Sequence, residues 1–207
     1  MSKKAKPSVA KVDFRKLYPD LYRESRDIAD VRAGRGVFLA VDGVGEPGSQ
    51  AYRDAMGALY ALAYTAKFTL KKAGLGDFTI PALECLYFDD PATTPKDQWR
   101  WRLQLRIPEE LTSTALNDVR KALAEKKGLD TRAVKRIAWA EGRALQMLHV
   151  GPYQQVGPVY QRLMAEATAR GLACAGPGHE IYLNDPRRVP PDRIKTLVRM
   201  PVGVGRA

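Results

Sequence analysis

The sequence predicts an α+β fold, a pseudo-twofold tandem repeat of two βαββ units that share an antiparallel-rich sheet, with helices packed on one face and a central crevice suited to a ligand. Three observations carry this. The run "LYFDDP" at 86–91 returns as "IYLNDP" at 181–186, so that Tyr182 follows Tyr87 by 95 residues. The run "LRIP" at 105–108 returns as "VRMP" at 198–201, with Arg199 placed 93 residues after Arg106. Between them, "WRWRLQLRI" alternates as a half-buried strand does: Trp99, Trp101, Leu103, Leu105 and Ile107 on one face, Arg100, Arg102, Gln104 and Arg106 on the other.

The elements follow in order. Residues 1–30 open with "MSKKAKPSVA" and are expected as a basic, partly flexible segment, with a single domain over 31–207. The first βαββ unit spans about 36–108. Its first strand lies near Val37–Val41, and a Gly/Pro turn follows in which Ser49 can cap a helix running to about Lys72. Gly74 and Gly76 stop that helix. A strand near Leu83–Phe88, a Pro-rich turn and the alternating strand complete the unit. A linker helix over about 112–127 shows Leu116, Val119 and Leu123 at helical spacing and ends at Gly128. The second unit, about 143–202, repeats the plan: a strand near Ala144–Val150, Pro152 close to a helix start, a helix to about Arg170, then strands Ile181–Leu183 and Lys195–Met200. Gly45 matches Gly151, and the first copy carries the longer helix.

Composition narrows the function. With 45% hydrophobic residues, the 207-residue chain can bury a core without disulfides or metal. Cys85 and Cys174 have no partner spacing, and the two histidines, His149 and His179, do not make a metal site. No metal and no cofactor are expected. No run approaches the length of a membrane span, so a soluble, cytoplasmic protein with no membrane partner is expected. Lys and Arg outnumber Asp and Glu by 34 to 23, but the basic residues are spread along the chain without a nucleic-acid motif. This favours a solvated basic surface and no sequence-specific nucleic-acid partner. No pattern assigns an oligomeric state. Nucleotide-binding loops and common hydrolase motifs are absent.

One carboxylate stands out. Alternation puts Glu180 and Tyr182 on one strand face and Ile181 and Leu183 on the other, and the self-comparison sets Cys85 and Tyr87 where Glu180 and Tyr182 lie. Glu180 is therefore what one copy adds to a shared frame. A specialised site and a solvent-facing strand edge both accommodate it. In a crevice, its expected neighbours are Tyr182, Tyr87 and Trp99 or Trp101. Such a site holds a flat, lipophilic aromatic or cationic molecule, or uses the carboxylate as a general base toward water. The bland alternative puts the tryptophans in the core under the helices. Tyr153 reaches the crevice mouth or starts a helix, and His149 ends an apolar strand as a structural histidine does.

The runs "LHVGPY" (148–153), "GHEIYLNDPRR" (178–188) and "IKTLVRMPV" (194–202), with "WRWRLQLRIP" in the first half, resemble the gyrase-inhibitor-like (GyrI-like) small-molecule-binding domain in its stand-alone form. The resemblance implies two βαββ units around a ligand pocket. In the family's multidrug-sensing regulators, a glutamate matched by Glu180 meets cationic, lipophilic ligands in an aromatic pocket; their preceding DNA-binding domain is not expected here. Stand-alone members that resemble this chain more closely hydrolyse cyclopropane-bearing DNA alkylators. Carried over, Glu180, Tyr153 and Tyr182 are the candidate catalytic residues, Glu180 as base and the tyrosines polarising the ligand carbonyl. Trp99, Trp101, Tyr87, His149 and His179 are the candidate ligand-binding residues. The competing implications are a non-catalytic binder that sequesters such molecules and a gyrase-interacting protein.

Overall fold

The computed structural model describes residues 11–204. The first half contains β1 (Lys11–Val12), α1 (Phe14–Leu17), β2 (Ala29–Ala33), β3 (Gly36–Val44), α2 (Gln50–Ala73), β4 (Asp77–Phe78), β5 (Leu83–Tyr87) and β6 (Arg100–Ile107). After α3 (Ser113–Lys127) come β7 (Lys135–Trp139), β8 (Gly142–Val150), α4 (Gly157–Ala169), β9 (Leu172–Cys174), β10 (Gly178–Tyr182) and β11 (Lys195–Val204). The main sheet has nine strands in the order β2-β8-β11-β10-β5-β6-β3-β7, with β9 paired to β11 off that path. Its neighbouring strands are antiparallel. A short parallel pair, β1 with β4, stands apart.

Local chemistry explains the helices. The Ser49 side chain accepts from the Tyr52 amide at 3.3 Å and so starts α2, and Gly74 ends it in the left-handed region at φ 71°. Leu59, Leu62, Ala63, Ala66 and Leu70 recur at three and four residues and form its buried stripe. Each fully buried leucine contributes about 2 kcal/mol of apolar burial. Thr112 caps α3 by accepting from the Ala115 amide at 3.2 Å. Helix α4 starts later than Pro152 suggests, because a 3-10 turn at Tyr153–Gln155 intervenes.

Helices α2 and α3 pack over the β3–β6 half of the sheet, and α4 packs over Leu145, Met147, Val198 and Met200 of the β8–β11 half. The halves meet at β5 and β10, where Cys85 pairs with Glu180, Leu83 with Tyr182 and Tyr87 with Gly178. Of the positions matched by self-comparison, Cys85 thus faces Glu180 directly, whereas Tyr87 and Tyr182 sit diagonally across the central pair. Between α2 and α4 the helical layer parts, and the floor of that gap is β5–β10.

The opposite face departs from the expected organisation. The basic run at 1–10 lies outside the described residues, but from Lys11 on the N-terminal segment is part of the fold. Phe14, Leu21, Tyr22, Val31 and Ala33 pack against Ala144, Leu148, Ile181 and Leu197, and β2 adds an edge strand to β8. The arginine face of β6 is consequently covered at one end. Gln104 is 0% and Arg106 6% exposed, with the Arg106 guanidinium 4.0 Å from the Tyr18 ring centroid. Alternation identified that face correctly but not its cover, which depends on residues about 90 positions earlier in the chain.

Candidate functional site

The gap between α2 and α4 is an open cleft of about 1920 Å³. Glu180, Tyr182, Tyr87, Trp99 and Tyr153 line it, with Tyr52, Met56 and Tyr60 from α2 and Tyr160 from α4. Its lining is mainly aromatic and aliphatic around one carboxylate, the pattern of small-molecule sites.

Glu180 sits mid-strand on β10 and is 6% exposed. The Tyr182 hydroxyl donates to its Oε2 at 3.2 Å, and the Tyr182 and Tyr87 hydroxyls lie 3.0 Å apart. A phenol has one proton to give. Since Tyr182 spends its proton on Glu180, Tyr87 is the donor to Tyr182, and the relay runs Tyr87 to Tyr182 to Glu180. Burial raises the Glu180 pKa to about 7, against the opposing effects of the Tyr182 bond, the charge of His179 and the nearby Tyr160 hydroxyl. Burial likewise holds Tyr87 and Tyr182 well above the ordinary phenol range, so both stay protonated. Tyr153 meets the Tyr182 ring edge-on, with centroids 5.3 Å apart, and Tyr87 meets Trp99 in the same way at 6.1 Å. The arrangement presents an ionisable carboxylate, titrating near neutral pH, to an aromatic surface.

The structure does not gather all the expected residues here. Trp101 is 2% exposed, lies edge-on to Tyr52 beneath α2, and donates from Nε1 to the Gly45 carbonyl at 3.0 Å. It is core, whereas Trp99, one step before β6 begins, turns out to the cleft. His149 is outside the cleft, its Nε2 lying 3.0 Å from the Pro152 carbonyl oxygen, where it ties down the turn after β8. His179 points to the other face of the sheet. There its Nδ1 lies 2.9 Å from Glu141, and its Nε2 lies 3.3 Å from Glu84 without the alignment for a hydrogen bond. Arg199 donates to Glu141 at 2.8 Å, to Gln146 at 3.0 Å and to the Leu21 carbonyl at 2.7 Å. Burial alone would lower the His179 pKa, but the two carboxylates raise it to about 9; Glu141 is held at about 2 by His179 and Arg199, despite its own burial. This charge cluster backs the cleft without opening to it.

Sequence inspection missed Tyr52, Tyr60 and Tyr160. The signal for two of them was available: Tyr52, Met56, Tyr60 and Tyr64 recur every four residues on α2 and make one aromatic stripe facing the cleft.

The model of the GyrI-like small molecule binding domain matches residues 39–203. The chain belongs to this family. As a GyrI-like protein it is also similar to solved structures along nearly all of its length. An uncharacterized conserved protein from Listeria innocua superposes with a TM-score of 0.88 at 33% identity, covering 93% of this chain and 100% of that one. A Listeria innocua protein described as a hydrolase gives a TM-score of 0.86 at 32% identity, covering 94% and 100%. The EcmrR C-terminal domain, at 11% identity and a TM-score of 0.54 over 86% of this chain and 98% of that domain, shares the GyrI-like fold alone. No curated protein matches the chain.

Proposed function

We propose that this GyrI-like protein is a hydrolase that adds water to cyclopropane-bearing, lipophilic aromatic alkylators, with Glu180 as the general base. The observation that carries the reading is a buried carboxylate with a pKa of about 7 on the floor of an aromatic cleft, oriented by Tyr182. Similarity to a relative described as a hydrolase supports it.

The chemistry balances with water as the only co-reactant. Water oxygen bonds to a cyclopropane carbon, the strained carbon–carbon bond breaks, and its electron pair moves into the conjugated carbonyl, which becomes a phenolate. Glu180 takes the water proton, and the phenolate is protonated to complete the addition. A base matched to neutral pH suits proton removal from water in the transition state. Tyr182 cannot polarise the carbonyl while its proton is committed to Glu180. Tyr153, half-buried at the cleft wall, is the better candidate. Trp99 and Tyr87 offer ring faces and edges for the flat body of the ligand.

The test is a time course, by liquid chromatography and mass spectrometry, of a cyclopropane-containing compound of this class with wild-type protein and with Glu180→Gln. Multiple turnovers to a water-added product, reduced at least about 100-fold in the variant, are expected. Stoichiometric binding without product would overturn catalysis and leave a sequestering protein. Binding indifferent to Glu180→Gln and governed by surface charge would overturn the site itself.

A further inference from the structure

Tyr160 on α4 lines the cleft, yet its hydroxyl is buried with no hydrogen-bond partner among the described residues. A buried hydroxyl left unpaired is costly and calls for a reason. The ring lies directly against Gly178: a Cβ there would stand 2.9 Å from the Tyr160 hydroxyl oxygen, 3.0 Å from Cε1 and 3.2 Å from Cζ. Only a glycine leaves room for the ring in this place. Gly178 and Glu180 are two residues apart on β10, roughly 7 Å along the strand, and both line the cleft. The Tyr160 hydroxyl therefore approaches the Glu180 carboxylate from the α4 side, while Tyr182 approaches it along the strand.

We propose that Tyr160 is a positioning residue for Glu180: its hydroxyl donates a second hydrogen bond to the carboxylate when that group is ionised, and Gly178 is what admits the ring. Hydrogen bonds at such sites are often poorly aligned in the empty protein and tighten when charge develops. Two donors would fix the plane of the carboxylate and leave its remaining lone pairs for water. The role toward water rests on the hydrolase reading; the hydrogen bond does not.

A donor to the ionised form lowers a carboxyl pKa, so its loss raises it. The other titratable groups around Glu180 are Tyr182 on its own strand, Cys85 and Tyr87 on β5, Tyr52 on α2, Tyr153 ahead of α4, and His179 behind the sheet. Burial raises all four phenols and the thiol, and the carboxylates around His179 raise it to about 9, so near neutral pH Glu180 is the group that changes charge.

The experiment is a carbon-13 NMR titration of the glutamate carboxyl carbons in wild type, Tyr160→Phe and Gly178→Ala. The Glu180 midpoint is expected to rise by about one pH unit in Tyr160→Phe, and in the same direction in Gly178→Ala, where the hydroxyl is kept but displaced. The acid limb of the water-addition profile should move with it. An unmoved midpoint in Tyr160→Phe, a variant that loses a single oxygen, would overturn the proposal even if Gly178→Ala fails to fold. A midpoint that moves in a protein without turnover would uphold the hydrogen bond and sink the hydrolase instead.

Discussion

At the scale of single residues, Glu180 works against stability. Its folded-state pKa of about 7 lies above its ordinary 4.5, so its stabilising contribution is fully present below 4.5 and is lost as pH rises through 7. Glu180→Gln removes the charge that is costly to bury. The variant should match wild type near pH 4 and exceed it at pH 8 by up to about 2–3 kcal/mol, read by urea denaturation at the two pH values. Equal stability at pH 8 would mean that the carboxylate is better solvated than its 6% exposure implies. The sequence exposed this residue through repeat divergence, Glu180 against Cys85. It could not separate crevice from strand edge, because that depends on the gap between α2 and α4.

At the scale of elements, β3 and β6 show how alternation both succeeds and fails. Leu103, Leu105 and Ile107 face the helices as the pattern predicts, and Trp101 joins them. Trp99 falls outside the regular strand and turns to the cleft, so a period of two ceases to govern it. The Trp101 indole lies against Gly43 on β3, and a Cβ on that glycine would stand only 2.1 Å from the ring atom Cη2. Gly43→Ala should destabilise the protein by about 1–3 kcal/mol or more, measured as a lower thermal midpoint. Unchanged stability would show that the indole can shift and that its bond to the Gly45 carbonyl matters little.

At the scale of the whole molecule, residues 11–22 seal the charge cluster behind the cleft. Arg199 donates to the Leu21 carbonyl, Gln146 to the Asp20 carbonyl and Tyr22 to Glu84. Removing residues 1–24 would uncover Glu84, Glu141, His179 and Arg199 together. The truncated chain should lose at least about 3 kcal/mol or fail to fold, assayed by circular dichroism and urea melts. The cluster also sets a pH window. His179, raised to about 9, contributes stability that is complete below its ordinary 6.5 and is lost as pH rises through 9. Glu141, lowered to about 2, contributes stability present above 4.5 and lost as pH falls through 2. The cluster's contribution should therefore peak between about pH 4.5 and 6.5, and His179→Ala should flatten that dependence.

Local sequence pattern carries the α+β class, helix α2 from its Ser49 cap to its Gly74 stop, the alternating central strand and the one carboxylate that singles out β10. Those features are written in spacing, periodicity and local hydrogen-bonding residues, all of which act over a few positions. Long-range contacts decide that Trp99 faces the cleft while Trp101 is core, that His179 turns its back on Glu180, that Tyr160 reaches over Gly178, and that residues 11–30 pack onto the sheet. Each depends on which distant segment covers which face. Burial of that kind arises from contacts between residues far apart in the chain, and no local pattern encodes them.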